Sequence, residues 1–303
     1  MPAGDSVSAS VQLRDGRTFE YVQGGEPDCP VVVIHHGTPG SSLAPPDLVT
    51  AASERGLRLV AYSRAGYASS TRHAGRAIAA VASDVADLLD ALGVERFATI
   101  GWSGGGPHAL ACASCLPTRC AAALSVAGVA PYLPGEFDWT DGMSQDNIDE
   151  FAQSLEGGAA LDEALGVFRE FLLALRPDDV KSARDLLGDL VSEADILATT
   201  PRIAAFLLAN FVHGVADGTD GWGDDDQAFV RPWGFDVDAI EVPVGIWFGD
   251  EDLMVPARHG EWLGSHVRGA RVRRYPDDGH ISLMMNRSGE LLDEVLDLAG
   301  GKW

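Results

Sequence analysis

The sequence predicts an α/β protein in which a mostly parallel central sheet is flanked by helices. Short apolar segments typical of buried strands alternate with segments of helical periodicity, and this alternation resumes near residue 241. Strands that alternate with helices form βαβ units, whose crossovers produce a parallel sheet. We therefore predict a core made of residues 1–130 and 241–303, with residues 131–240 as an inserted helical cap.

The first predicted strands form a hairpin, because residues 7–13 and 17–22 flank Asp15-Gly16, a dipeptide that favours a tight turn. Residues 31–34 are wholly apolar, as expected of a strand buried on both faces. The next elements are predicted in chain order as helix 48–54, strand 57–62, helix 78–92, strand 97–101, helix 105–116 and strand 121–126.

Hydrophobic spacing predicts the helices. In helix 78–92, Val81, Val85 and Leu88 share one face, and Gly93 follows as a stop. Strand signals then cease, and helices are predicted at 151–155, 160–175, 180–190 and 203–211. The glycine- and aspartate-rich residues 218–226 are interpreted as a joint between helices. The alternation resumes with strand 242–248, helix 260–267, strand 270–275 and helix 288–299.

The composition excludes some classes of partner. The 303 residues include 45 acidic and 22 basic side chains, for a net charge of -23 that would repel a nucleic acid. Most of the acidic excess lies in residues 131–241. It is interpreted as a solvated surface, and the alternative is an acidic lid that attracts cationic substrates.

No apolar run approaches the roughly 18–20 residues that a membrane span needs, and no secretory signal is visible in residues 1–10. Three of the four cysteines are crowded together, unlike a secreted disulfide framework, so a reducing, cytoplasmic location is expected. His108, Cys112, Cys115 and Cys120 could be read as zinc ligands, but cysteines on an apolar helix usually pack as small hydrophobes. We therefore expect no zinc at these residues.

Gly101-Trp102-Ser103-Gly104-Gly105 carries the sharpest chemical signal. It lies between an apolar strand and an apolar helix, where G-x-S-x-G forms a nucleophile elbow. Such a turn exposes the serine hydroxyl and leaves the next N–H, here that of Gly104, at a helix N-terminus. Negative charge that develops on a substrate oxygen is favoured there. Ser103 is therefore the predicted nucleophile.

A serine nucleophile needs a base, and the base needs a carboxylate partner. His280 follows the last predicted strand and is the candidate base, whereas His108 is expected to be packed and His259 and His266 to be exposed. Residues 249–256 follow another strand and contain Asp252, the favoured partner, with Asp250 in reserve.

Residues 36–40 follow the strand at 31–34 and provide a candidate for a second oxyanion donor. Thr38 could turn its backbone N–H towards the same oxygen as Gly104, whereas Pro39 has no N–H to donate.

Together, segments 36–40, 101–105, 249–256 and 279–280 resemble the α/β-hydrolase superfamily, and the likeness spans nearly the whole chain. Residues 63–70 resemble the superfamily's D-R-[GP]-G-x-G-x-S loop. They depart from it at Ser63, Ala65 and Ala68.

The resemblance implies hydrolysis through an acyl-enzyme that Ser103, His280 and Asp252 form and resolve, without a cofactor. It also implies that residues 131–240 close over the triad as a cap. Trp102 and Trp139 are the predicted substrate-binding residues. The other candidate pocket residues are Phe211, Trp222 and Trp233.

Three functions remain open, each with a small molecule as substrate or ligand. The first is a carboxylic ester hydrolase, including thioesters and lactones, and the second is an aminopeptidase similar to the proline iminopeptidases. The third is a hydrolase-fold receptor or lyase with little hydrolytic turnover. The residues do not decide the oligomeric state.

Overall fold

The eight strands of the central sheet occur along the chain where the sequence predicts strands. The computed structural model describes residues 8–176, 180 and 183–303. In these residues eight strands form one sheet of order β1-β2-β4-β3-β5-β6-β7-β8. The strands are β1 Ser8–Gln12, β2 Thr18–Gly24, β3 Val31–His35, β4 Arg58–Tyr62, β5 Phe97–Trp102, β6 Cys120–Val126, β7 Val244–Gly249 and β8 Arg271–Tyr275. β2 runs antiparallel to both β1 and β4, and the other pairs are parallel, which confirms the predicted fold class.

Helices cover both faces of this sheet. They are α1 Pro46–Glu54, α2 Val81–Ala91, α3 Gly105–Cys115, α4 Gln145–Glu156, α5 Ala159–Ala174, α6 Ala183–Leu187, α7 Glu193–Ala198, α8 Pro201–Gly214, α9 Asp220–Phe229, α10 Ala257–His266, α11 His280–Met285 and α12 Ser288–Ala299. Short 3₁₀ turns lie at Ile78–Ala80, Gly188–Leu190 and Val237–Ala239. No helix among the described residues is both long and apolar enough to cross a membrane.

Alternation along the strands divides the core into two layers. On β3, Val32 and Ile34 pack in the cluster that contains α1 and α12, whereas Val31 and Val33 pack in the cluster that contains α2, α3 and α10. Because successive side chains of a strand point to opposite faces, an apolar run such as β3 serves both layers.

The part of residues 131–240 that the structure describes contains helices and no strand, and these helices pack through apolar faces such as Leu161 and Leu165 of α5 with Leu207 of α8. The sequence prediction missed α7 and also α11, which lies outside this segment. Residue 7 and residues 181–182 of the predicted elements lie outside the described residues.

The interpretation of residues 218–226 as a joint is wrong, because Asp220–Phe229 is a helix whose Asp224, Asp225 and Asp226 are buried. Glycine and aspartate are poor helix formers by themselves. Here tertiary contacts override that preference, since arginines from elsewhere in the chain bind the first two aspartates. The acidic excess is therefore not simply a solvated surface.

Candidate active site

The turn between β5 and α3 holds Ser103 in a left-handed conformation, with φ of 57°. A Cβ at Gly101 would lie 2.1 Å from the Gly105 carbonyl oxygen, and one at Gly105 would lie 2.2 Å from the His35 carbonyl oxygen. Only glycine fits at these two positions, so the glycines of the motif are explained by close backbone packing. The Ser103 N–H donates to the Val126 carbonyl at 2.9 Å, which ties the turn to β6.

The predicted oxyanion donors lie side by side. Gly104 immediately precedes α3, and a Cβ on it would come within 2.3 Å of Thr38 Oγ1. Gly37, in the loop after β3, approaches the elbow in the same way, since its Cβ would lie 3.8 Å from Ser103 Oγ. The loop after β3 therefore contacts the start of α3 at the serine.

A buried ion-pair network holds this loop through hydrogen bonds to its backbone and to Thr38. Sequence reasoning did not find this network. Arg64 binds Asp225 Oδ2 at 2.6 Å, donates to the Gly37 carbonyl at 3.0 Å and also donates to the His36 carbonyl. Arg76 binds Asp225 Oδ1 at 2.6 Å, and Thr38 Oγ1 donates to Asp225 Oδ2 at 3.1 Å. Although burial opposes ionisation, the two arginines hold the pKa of Asp225 well below its usual range. Arg64, the arginine of the loop 63–70, is the signal in the sequence that could have indicated this network.

Replacing Asp225 by alanine should lower the free energy of unfolding by about 3–5 kcal/mol, because it leaves the buried Arg64 without a counter-charge and Arg76 with Asp224 alone. Equilibrium urea unfolding measures this loss. Asp220→Ala is the matched control in the same helix, since Asp220 pairs with Arg72 at the surface and should cost no more than about 1 kcal/mol. Equal losses in the two variants would contradict the argument.

Asp252 lies against the candidate base. His280 Nδ1 donates to Asp252 Oδ2 at 2.8 Å, and both residues are buried. The other oxygen, Asp252 Oδ1, accepts the N–H groups of Met254 and Val255 at 2.9 and 2.7 Å, which orients the carboxylate. Asp250 instead binds Arg274 at the surface. Burial lowers the pKa of His280, but the charge and hydrogen bond of Asp252 outweigh it and leave that pKa raised.

Asp195 of α7 is a further residue that sequence reasoning missed, and it holds the backbone of His280. It accepts the N–H groups of His280, Ile281 and Ser282 at 3.1, 2.8 and 2.9 Å. A Cβ at Gly279 would lie 2.6 Å from its carboxylate, so the close approach requires glycine. Asp195 thus accepts the N–H groups of the first turn of α11, whose first residue is His280.

We expect Asp195→Ala to lower kcat by up to about 100-fold with a smaller change in KM, because His280 would lose its backbone anchor. Asp195 also helps to raise the pKa of His280, so the acid limb of the pH profile should move to lower pH. Steady-state kinetics across pH test both effects. Asp189→Ala, at an exposed position of the same segment, is the control. An Asp195 variant with an unchanged pH profile and kcat would exclude this positioning role.

Trp102 links the elbow to the candidate base. Its indole Nε1 donates to the His280 carbonyl at 3.1 Å, and the two rings lie 5.5 Å apart. Within the described residues, no hydrogen bond joins Ser103 Oγ to His280 Nε2. Such bonds often tighten only when substrate binds.

Ser103 lines a cavity with about 690 Å³ of empty space, part of which is open to solvent. We call it the Ser103 cavity. Its walls are mainly apolar side chains of residues 131–240, among them Phe151, Phe168, Leu187, Leu190, Phe211 and Trp222. Thr38, Gly104 and Met254 complete the side next to the sheet.

Two of the five aromatic residues proposed for the pocket, Phe211 and Trp222, line the Ser103 cavity. Trp102 does not line it, because its ring packs on His280. Trp139 lines a separate groove and donates its indole N–H to the Ala130 carbonyl at 2.8 Å, so its expected position in the pocket is wrong. Trp233 is buried against Phe235.

The expectation for His259 is also wrong, because it is fully buried. Its Nδ1 accepts the Ala130 N–H at 3.1 Å, its Nε2–H donates to the Trp139 carbonyl at 2.8 Å, and burial lowers its pKa to about 4. The neutral imidazole of His259 therefore joins the backbone of Ala130 and Trp139 to α10. His266 is exposed and His108 is buried, as expected.

The four residues considered as zinc ligands have separate surroundings. His108 Nδ1–H donates to the Gly104 carbonyl at 2.8 Å, Cys120 Sγ donates to the Ala122 carbonyl, and Cys115 is exposed. The part of the chain that the structure describes contains no cluster of three or more residues suited to a metal.

Residues 30–286 match a family model described as alpha/beta hydrolase fold. The chain belongs to this family. This α/β hydrolase is 26% identical over 261 residues to a curated protein, a non-heme haloperoxidase of Rhodococcus erythropolis. The matched residues cover 84% of this chain and 87% of the haloperoxidase.

Solved structures of this hydrolase fold cover nearly the whole chain. The enol-lactonase of Burkholderia xenovorans has a TM-score of 0.68 at 20% identity, with 96% of this chain and 100% of that one covered. The bromoperoxidase of Bacillus anthracis has a TM-score of 0.68 at 23% identity, with coverage of 97% and 99%. At these identities the likeness supports the fold alone.

Proposed function

We propose that this protein is a serine hydrolase that cleaves a carboxylic ester, thioester or lactone of a small, partly apolar substrate. The 2.8 Å hydrogen bond between His280 and Asp252, buried beside the strained Ser103 turn, carries the proposal. A serine that an imidazole can deprotonate, with a carboxylate that holds the imidazole tautomer, is the arrangement that acyl transfer requires.

In the proposed reaction, His280 takes the proton of Ser103 as the Ser103 oxygen attacks the carbonyl carbon. Asp252 stabilises the imidazolium that forms, and the N–H groups of Gly104 and Thr38 hold the oxyanion. His280 then protonates the leaving group. In deacylation it activates water, and Ser103 regains its proton when the acid is released.

The Ser103 cavity supports the choice of substrate. Its apolar walls suit an acyl or alcohol group with a hydrocarbon part, which would gain about 25 cal/mol for each Å² of apolar surface removed from water. One similar structure is that of an enol-lactonase, and a lactone is a cyclic ester. Esters are therefore the first substrates to test.

Hydrolysis of p-nitrophenyl esters from acetate to decanoate tests the proposal, with Ser103→Ala as the blank and prolyl-p-nitroanilide on the same plate. Ester turnover that the blank lacks would support it, and the preferred chain length would measure the pocket. Turnover of the anilide alone would favour an aminopeptidase. Equal inertness of both proteins, together with no labelling of Ser103 by a phosphonate ester, would overturn it.

A further inference from the structure

The Ser103 cavity contains two acidic side chains that the proposed hydrolytic mechanism does not use. Glu150 of α4 and Asp226 of α9 both line it. No lysine, arginine or histidine occurs among the described residues of its lining. A substrate in this cavity therefore meets negative charge that no lining side chain balances.

Asp226 differs from its two neighbours on α9. Asp224 binds Arg72 at 2.8 Å and Asp225 binds Arg64 and Arg76, so each of these carboxylates has cationic partners. Asp226 is 2% exposed, and among the described residues its Oδ2 is buried without a protein donor. Burial of a carboxylate oxygen without a donor is costly, and such groups frequently have a functional reason.

Glu150 and Asp226 lie within hydrogen-bonding reach of each other. Trp222 Nε1 donates to Glu150 Oε1 at 2.8 Å, which orients Glu150. Burial raises the pKa of Glu150, while burial and the charge of Glu150 raise the pKa of Asp226. Each of the two neighbouring carboxyl groups disfavours the charged form of the other, so the pair ionises more readily when a cation lies beside it.

A cationic amine bound in the cavity would balance the negative charge of Glu150 and Asp226. An ammonium group carries the hydrogen-bond donor that Asp226 Oδ2 lacks, and its charge favours ionisation of both carboxyl groups. Aromatic faces favour cations as well. The cavity provides them at Phe151, Phe168, Phe211, Trp222 and Phe229.

We propose that the Glu150–Asp226 pair binds an ammonium group of the substrate, so that the hydrolase selects molecules with a cationic amine attached to an apolar acyl chain. The proposal deepens the proposed function and depends on it for the identity of the scissile bond. Amine binding itself does not depend on catalysis. Because the ammonium charge favours the ionised carboxylates, binding releases to solvent any proton that the pair holds, while the ammonium keeps its own protons.

Calorimetric titration of the whole protein with n-hexylamine and with 1-hexanol tests the binding step. We expect the amine to bind about 10-fold or more tightly than the alcohol. Repeating the titration at neutral pH in buffers of different ionisation enthalpy should reveal release of up to one proton. Glu150→Gln and Asp226→Asn should each abolish the preference, whereas Glu156→Gln, an exposed change on α4, should retain it.

Hydrolysis of p-nitrophenyl 6-aminohexanoate and of p-nitrophenyl heptanoate then tests selection, since the two acyl chains differ only in a terminal ammonium or methyl group. The amino ester should have the higher kcat/KM in the wild type, and this ratio should fall at least about 10-fold in the two cavity variants. Equal affinity of the wild type for amine and alcohol would overturn the inference, and so would a preference that survives both substitutions. Amine binding with no ester or anilide turnover and no phosphonate labelling of Ser103 would leave this site intact and overturn only the proposed function.

Discussion

Ser103→Ala is expected to lower kcat for ester hydrolysis by about 10⁶-fold, which leaves only the contribution of substrate binding and the oxyanion donors. The variant should fold normally, because Ser103 Oγ makes no hydrogen bond among the described residues and its backbone N–H still bonds to Val126. Alanine at φ of 57° retains the strain that serine already bears, since both side chains carry a Cβ.

The measurement is kcat on the best ester of the p-nitrophenyl series, with thermal unfolding as the check on folding. Ser265→Ala, at an exposed site on α10, controls for the substitution itself and should be fully active. A Ser103 variant with wild-type turnover would exclude Ser103 as the nucleophile. Catalysis would then have to be assigned elsewhere in the cavity.

Asp252→Asn is expected to lower kcat by about 10⁴-fold. The asparagine oxygen can still accept the N–H groups of Met254 and Val255, but its NH₂ group would then face His280 Nδ1. Two donors cannot pair, so the imidazole would adopt the tautomer with Nε2 protonated, and that nitrogen could no longer accept the Ser103 proton.

The pH profile provides an independent readout. Only neutral His280 can act as a base, so kcat/KM of the wild type should rise as pH increases through the His280 pKa, which is raised above its ordinary value of 6.5. In Asp252→Asn the charge that raises this pKa is gone while burial still lowers it. The acid limb should therefore move to lower pH.

Asp250→Asn is the matched control, because Asp250 binds Arg274 at the surface rather than His280. It should keep both the rate and the pH profile of the wild type. Loss of activity in Asp250→Asn with an active Asp252→Asn would reverse the assignment of the carboxylate.

Local pattern predicted most of the sheet because each strand has its own signal. The parallel strands β3 to β7 are buried on both faces and appear as apolar runs, and the hairpin of β1 and β2 has a turn dipeptide between its strands. The candidate triad could be chosen for the same reason. Ser103, Asp252 and His280 each follow a recognisable strand, and ligands collect at the carboxyl ends of parallel strands.

What local pattern missed depends on partners that are distant in the chain. Asp195 lies 85 residues from His280 in sequence, and its role as the cap of α11 follows only from the fold. His259 falls at a predicted helix and is expected at the surface, yet it is buried and bonds to the backbone of Ala130 and Trp139. Trp102 and Trp139 lie outside the Ser103 cavity for the same reason, since their indoles bond to the carbonyls of His280 and Ala130.

By itself, then, the sequence determined the α/β class, the succession of strands along the chain and the glycine-flanked turn at Ser103, because burial and backbone conformation restrict the residue types that each segment can contain. Residue type cannot distinguish the three consecutive aspartates of α9 from one another. Asp224 pairs with Arg72 and Asp225 pairs with Arg64, whereas Asp226 faces a second acid, Glu150. Only the tertiary structure decides which aspartate is neutralised, because the energy of a buried charge depends on its neighbours in space.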